Sequence, residues 1–117
     1  MEVNGSMAPV FDPAEALSIV DGDKDLFQEL VNIFRESYPA ELSAIRDAIG
    51  QRDSDALRRV SHHLKGTLGA LAAGPARHAA LRLERLGSCA DLGSAPAVYL
   101  EMEQQIRALD QALTAWQ

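Results

Sequence analysis

Residues 61–66 read Ser-His-His-Leu-Lys-Gly, and His62 and His63 are two of only three histidines in the 117-residue chain. An exposed imidazole has a neutral form near neutral pH, so it can attack a reactive electrophile without a separately positioned base. Lys65, three residues past His62, sits one helical turn away and offers positive charge to an oxyanion developing on the electrophile. Gly66 and Gly69 fall in the same helical stretch, where each costs about 1 kcal/mol relative to alanine. Two such residues beside a histidine imply that another molecule approaches the backbone closely. Together these residue types suit capture of a phosphoryl group by an imidazole.

The helix that carries the pair tells the two histidines apart. Leu57, Val60, Leu64, Leu68 and Leu71 recur at steps of three and four and form the expected buried stripe. At about 100° per residue, the centre of that stripe lies roughly 160° from His62, which is therefore predicted to face solvent. Gly66, Gly69 and Arg59 fall on the same side. His63 points toward a flank and reads as a contact with a neighbouring helix. Arg59, with Arg58, is a candidate for docking an acidic partner surface.

A helical scaffold is expected around this segment. Residues 1–10, MEVNGSMAPV, show no apolar period and read as a flexible lead-in, leaving residues 11–117 as one domain. Asp12-Pro13-Ala14-Glu15 predicts the start of a short helix that stops near Asp21-Gly22. Asp23 caps a long pattern through Leu26, Leu30, Ile33/Phe34, Tyr38, Leu42, Ile45 and Ile49, which keeps its phase past Pro39 and predicts one helix kinked near Tyr38. Gly50 is expected to close it, and Asp53 or Ser54 to cap the next. Gly74-Pro75 ends that helix and opens another reaching about Gly87, and Pro96 starts a last one running close to Trp116, which should pack over the bundle end. Short links between amphipathic helices predict an all-α, up-and-down antiparallel four-helix bundle with a short extra N-terminal helix.

Composition narrows the function. Apolar residues make up 47% of the chain but aromatic ones only 5%, which favours helices over a sheet, and the formal charge of −6 argues against a general nucleic-acid binder. The single cysteine, Cys89, forms no internal disulfide, and no apolar run suits a signal peptide or a membrane span; a soluble cytoplasmic protein, or a soluble domain cut from a longer one, is expected. His78 has no carboxylate or thiol at ligand spacing and His62 and His63 diverge around their helix, so no metal site is expected. No nucleotide-binding motif occurs, so a phosphoryl group on this chain must come from another protein.

The run His62-His63-Leu64-Lys65-Gly66, followed by Leu71-Ala72-Ala73, resembles the H-x-L-K-G…(L/I)-G-A signature of histidine-containing phosphotransfer (HPt) domains. Gly22-Asp23 leading into Leu26…Leu30…Phe34…Pro39, and Leu83-Glu84 in the following helix, look like further marks of that family, and the resemblance covers Phe11 to the end of the chain. Ala72 departs from it, standing where the family often has glycine. The resemblance implies that His62 is the phosphoacceptor, relaying a phosphoryl group between aspartates of response-regulator receiver domains, with a hybrid sensor histidine kinase as a further partner. It implies a monomeric carrier rather than an enzyme, with no cofactor of its own; magnesium, if needed, would be bound by the receiver. Two rivals remain: a bundle of the same fold that docks partners without carrying phosphate, and a histidine-kinase dimerisation domain, which would need a self-complementary two-helix hairpin.

Overall fold

The computed structural model describes residues 10–116, so the lead-in expected over residues 1–10 lies outside the described residues except for Val10. Among the described residues there are five helices and no strand: α1 (Pro13–Ile19), α2 (Lys24–Gly50), α3 (Ser54–Ala70), α4 (Gly74–Ser88) and α5 (Ala95–Trp116). α2 packs on α3, α3 on α4, α4 on α5, and α5 back on α2, while α1 lies against α2. The all-α four-helix bundle with an extra N-terminal helix is therefore the observed architecture.

Helix starts follow the local chemistry of the chain. Asp12, Asp23 and Asp53 each accept a hydrogen bond from the backbone N–H three residues on, at 3.0–3.1 Å, satisfying a donor that the helix itself cannot. Pro39 lies inside an uninterrupted α2, as expected, and is exposed, so the hydrogen bond it removes lies on the side that water can reach. Next to it, Arg35 and Tyr38 fasten α2 to α5: Arg35 Nε lies 2.9 Å from Asp110 Oδ1, and the Tyr38 hydroxyl donates to Asp110 Oδ2 at 2.7 Å. Burial, and then the neighbouring carboxylate, push the Tyr38 hydroxyl above its ordinary pKa, which keeps it a donor. Trp116 closes the end of the bundle, edge-on to Phe27 at 5.1 Å and to Phe11 at 6.3 Å.

Helix ends fall where expected, with α2 closing at Gly50 and α4 opening at Gly74-Pro75 and ending one residue past Gly87. The left-handed residues just past α1 to α4 are nevertheless not glycines but Asp21, Arg52, Ala72 and Ala90, with φ of 53°, 56°, 54° and 53°. After each, a backbone N–H reaches back five residues: Gly22 to Leu17, Asp53 to Ala48, Ala73 to Leu68 and Asp91 to Leu86. Pairing the last carbonyls in this way imposes the turn even on residues with a Cβ. Gly87 has a different task. A Cβ there would stand 2.7 Å from the Arg58 nitrogen and 2.9 Å from the Ser54 carbonyl oxygen, so this glycine lets α4 cross against the backbone of α3.

Two stripes shift. In α2 the core takes Phe27 and Val31 rather than Leu26 and Leu30, and of the expected pair Ile33/Phe34 it takes Phe34; Leu26 and Ile33 are exposed and Leu30 is half-buried. Counting back from Phe34 by three and four gives Val31 and Phe27, so two apolar rows run side by side and the one bearing Phe27 reaches Trp116. In α3 the expected Leu57, Leu64, Leu68 and Leu71 are buried, but Val60 is half-buried and Ser61 takes the inner position.

Candidate functional site

The site lies on the outer side of α3, along its seams with both neighbours. His62 Nδ1 lies 2.8 Å from Glu84 Oε2 on α4, and the other oxygen of that carboxylate, Oε1, is 2.7 Å from Lys65 Nζ. The imidazole is 65% exposed, whereas the Lys65 and Glu84 side chains are 20% and 18% exposed, so a reactive ring stands on a sheltered ion pair. Lys65 first, and then the His62 ring, hold the Glu84 carboxyl below its ordinary pKa against the opposing effect of burial. Glu84 is therefore a carboxylate and can only accept. The nitrogen facing it must carry the proton, so the neutral ring has its lone pair on Nε2, away from Glu84.

His63 has a parallel arrangement on the other seam. Its Nδ1 lies 2.6 Å from Glu41 Oε2 on α2, and its side chain is 72% exposed. The sequence reading of a flank contact with a neighbouring helix describes this position. Facing nevertheless does not separate the two histidines, because both rings reach solvent and both rest on a carboxylate. The cation does: among the described residues, Lys65 pairs with Glu84 and no Lys or Arg pairs with Glu41.

The remaining candidates divide. No atom lies within 4 Å of where a Gly66 Cβ would be, so the space beside the histidines is open. At Gly69 a Cβ would stand 3.4 Å from Arg77 Nε; this glycine accommodates a side chain of α4 rather than leaving an open approach. Arg59 is 3.1 Å from Asp55, which also binds Arg58 at 3.0 Å, and the two guanidinium groups hold that carboxyl below its ordinary pKa. Next to the pair, Leu30, Ile33, His63, Gly66 and Thr67 border a shallow groove between α2 and α3. Cys89 and His78 are exposed, and His78 borders a cleft with Gly69 and Arg77.

Sequence reasoning marked Glu84 without a role and did not reach Glu41. Each acid is 22 residues from its histidine, so both contacts belong to tertiary structure. Antiparallel pairing of the helices supplies the missing signal: seven residues on along α3 and seven back along α4 lead from His62–Glu84 to Gly69–Arg77.

Comparison with known proteins finds the same fold. The crystal structure of histidine-containing phosphotransfer protein B (HptB) from Pseudomonas aeruginosa PAO1 superposes with a TM-score of 0.85 at 23% sequence identity, covering 93% of this chain and 95% of that one. A search of curated proteins gave no match. No helix among the described residues is long and apolar enough to cross a membrane. The family model of the Hpt domain matches residues 29–116, a span that holds both histidines, Lys65 and Glu84, and the chain belongs to that family.

Proposed function

We propose that the chain relays phosphoryl groups between receiver domains through phosphohistidine at His62. The observation that carries this reading is the Glu84 contact, which holds Nδ1 protonated and leaves the Nε2 lone pair facing outward, beside Lys65 and the open space at Gly66. Nε2 attacks the phosphorus of an aspartyl phosphate. An N–P bond forms as the P–O bond to the aspartate breaks, and the electron pair leaves with the donor's carboxylate. The proton on Nδ1 stays between His62 and Glu84. Transfer to the next aspartate runs the same step backward. Lys65 is near enough to lend charge to the phosphoryl oxygens while still balancing Glu84.

In this reading His62, Lys65 and Gly66 form the phosphoryl site, Gly69 and Arg59 lie beside it, and any magnesium belongs to the receiver's carboxylates. The exposed Ile33 and half-buried Leu30 give the receiver an apolar seat along α2. The carrier works as a monomer in the cytoplasm, charged by a receiver or by the receiver of a hybrid sensor kinase.

The test is label transfer from a phosphorylated receiver. His62→Gln is expected to abolish acceptance with helicity and melting temperature nearly unchanged, because the side chain is exposed. His63→Gln should retain most of it. The label should be lost in acid and survive alkali, as an N–P bond requires. Binding of the phosphorylated receiver without any label would favour the docking-only bundle instead.

A further inference from the structure

Positive charge is unevenly placed in this acidic chain. The stretch from Ser54 to Ser88, which holds α3 and α4, contains six of the 11 Lys and Arg residues but only two of the 17 Asp and Glu residues. The hairpin bearing His62 is thus positive in a molecule of formal charge −6. Most of its cations are engaged: Arg58 and Arg59 with Asp55, Lys65 with Glu84, and Arg82 with Glu101. Arg77 is exposed and has no carboxylate partner among the described residues. Arg85 shares that condition but stands a step around α4 from the row that carries Glu84 and Arg77.

Gly69 determines where Arg77 lies. With Cδ 3.5 Å and Nε 3.4 Å from the position of the absent Cβ, the arginine stem crosses the bare backbone of α3. Gly69 follows His62 by seven residues, two helical turns on the same side, or about 10 Å of rise. The geometry points to Arg77 as the cation that seats a phosphorylated receiver domain over the α3–α4 seam and draws its aspartyl phosphate toward His62. This rests on the relay reading above. The occupant follows from charge, since an acyl phosphate is an anion and a cation about one Debye length away at 0.1 M salt still steers and orients it. Lys65 and Arg59 answer to carboxylates of their own. Arg77 can turn to a partner without breaking an ion pair.

The experiment compares Arg77→Glu with Arg107→Glu, which makes the same change in net charge on α5. Two donors are used for each: a phosphorylated receiver that labels the wild-type chain, and phosphoramidate, which needs no docking. Arg77→Glu is expected to slow transfer from the receiver about five- to tenfold at low salt, with the gap closing as salt rises, and to leave phosphoramidate labelling unchanged. Arg107→Glu should change receiver transfer less than about twofold. Receiver transfer to Arg77→Glu at the wild-type rate overturns the proposal, as does equal slowing by the two variants or a matching loss with phosphoramidate. A wild-type chain labelled by phosphoramidate but by no phosphorylated receiver removes the relay reading itself, a result distinct from all of these.

Discussion

The two seams of α3 place neighbouring histidines in nearly the same setting. On the α4 side Glu84 holds His62, and on the α2 side Glu41 holds His63; both contacts are made through Nδ1 and both rings are exposed. Exposure and a carboxylate partner therefore do not distinguish a phosphoacceptor from its neighbour. What differs is the third group. Lys65 bonds the free oxygen of Glu84, so the α4 seam carries an imidazole, a carboxylate and a cation, whereas the α2 seam pairs an imidazole with a carboxylate beside an apolar groove. In the proposed relay, one seam takes the anion in transit and the other the surface of the protein that delivers it.

Removing each carboxylate in turn tests that difference most strongly. Glu84→Ala frees the His62 ring to rotate and change tautomer, and because a misplacement of roughly 1 Å costs on the order of a hundredfold in rate, receiver transfer should fall by about that factor. Glu41→Ala should lower it less than about threefold, since His63 then loses orientation without touching the reacting atom. Single-turnover transfer from a phosphorylated receiver gives both numbers. Equal losses would erase the distinction between the seams.

Much of this was legible in sequence because it is local. Three aspartate caps, the helix count, passage through Pro39 and the outward facing of His62 all depend on residues within a few turns of one another. What was not legible depends on the partner across a seam. Leu26, Leu30 and Ile33 make as good an apolar row as Phe27, Val31 and Phe34, and only the packing of α3 and α5 on α2, with Trp116 edge-on to Phe27, buries the second. Gly87 marks the end of α4 in sequence, but its close approach to the α3 backbone appears only when α3 is placed against it. Glu84 likewise gains a role only when α4 lies beside His62 and Lys65.

The glycines sharpen the comparison within the α3–α4 hairpin, where one substitution should have opposite signs at two positions. At Gly66 no atom lies within 4 Å of a new Cβ, so Gly66→Ala should stabilise the domain by up to about 1 kcal/mol through helix propensity. At Gly87 the Cβ would meet backbone atoms of Arg58 and Ser54 at 2.7 and 2.9 Å, and backbone cannot swing aside. Gly87→Ala should therefore destabilise by about 2 kcal/mol, the usual scale for overpacking. Urea denaturation of the two variants beside wild type measures both. A stabilised Gly87→Ala would mean that the helices separate more readily than this crossing allows.

The smallest effect expected concerns the turn between α3 and α4, which joins the two sides of the α4 seam. Ala72 holds φ of 54° there, in the left-handed region where a Cβ crowds the following carbonyl at a cost of roughly 1–2 kcal/mol. The turn persists because the Ala73 N–H bonds the Leu68 carbonyl and the Ala72 N–H bonds the Gly69 carbonyl, at 3.0 Å each. Ala72→Gly should relieve the crowding but add freedom to the unfolded chain, which takes back part of the gain. A net stabilisation of about 1 kcal/mol or less is expected, the usual advantage of glycine at the residue following a helix. His62 lies ten residues before this turn, on the far side of Gly66 and Gly69, so its transfer rate should not change. A melting temperature raised by a few degrees with an unaltered transfer rate is the expected pair of readings. A lower melting temperature would mean that the methyl group of Ala72 contributes packing worth more than the strain it carries.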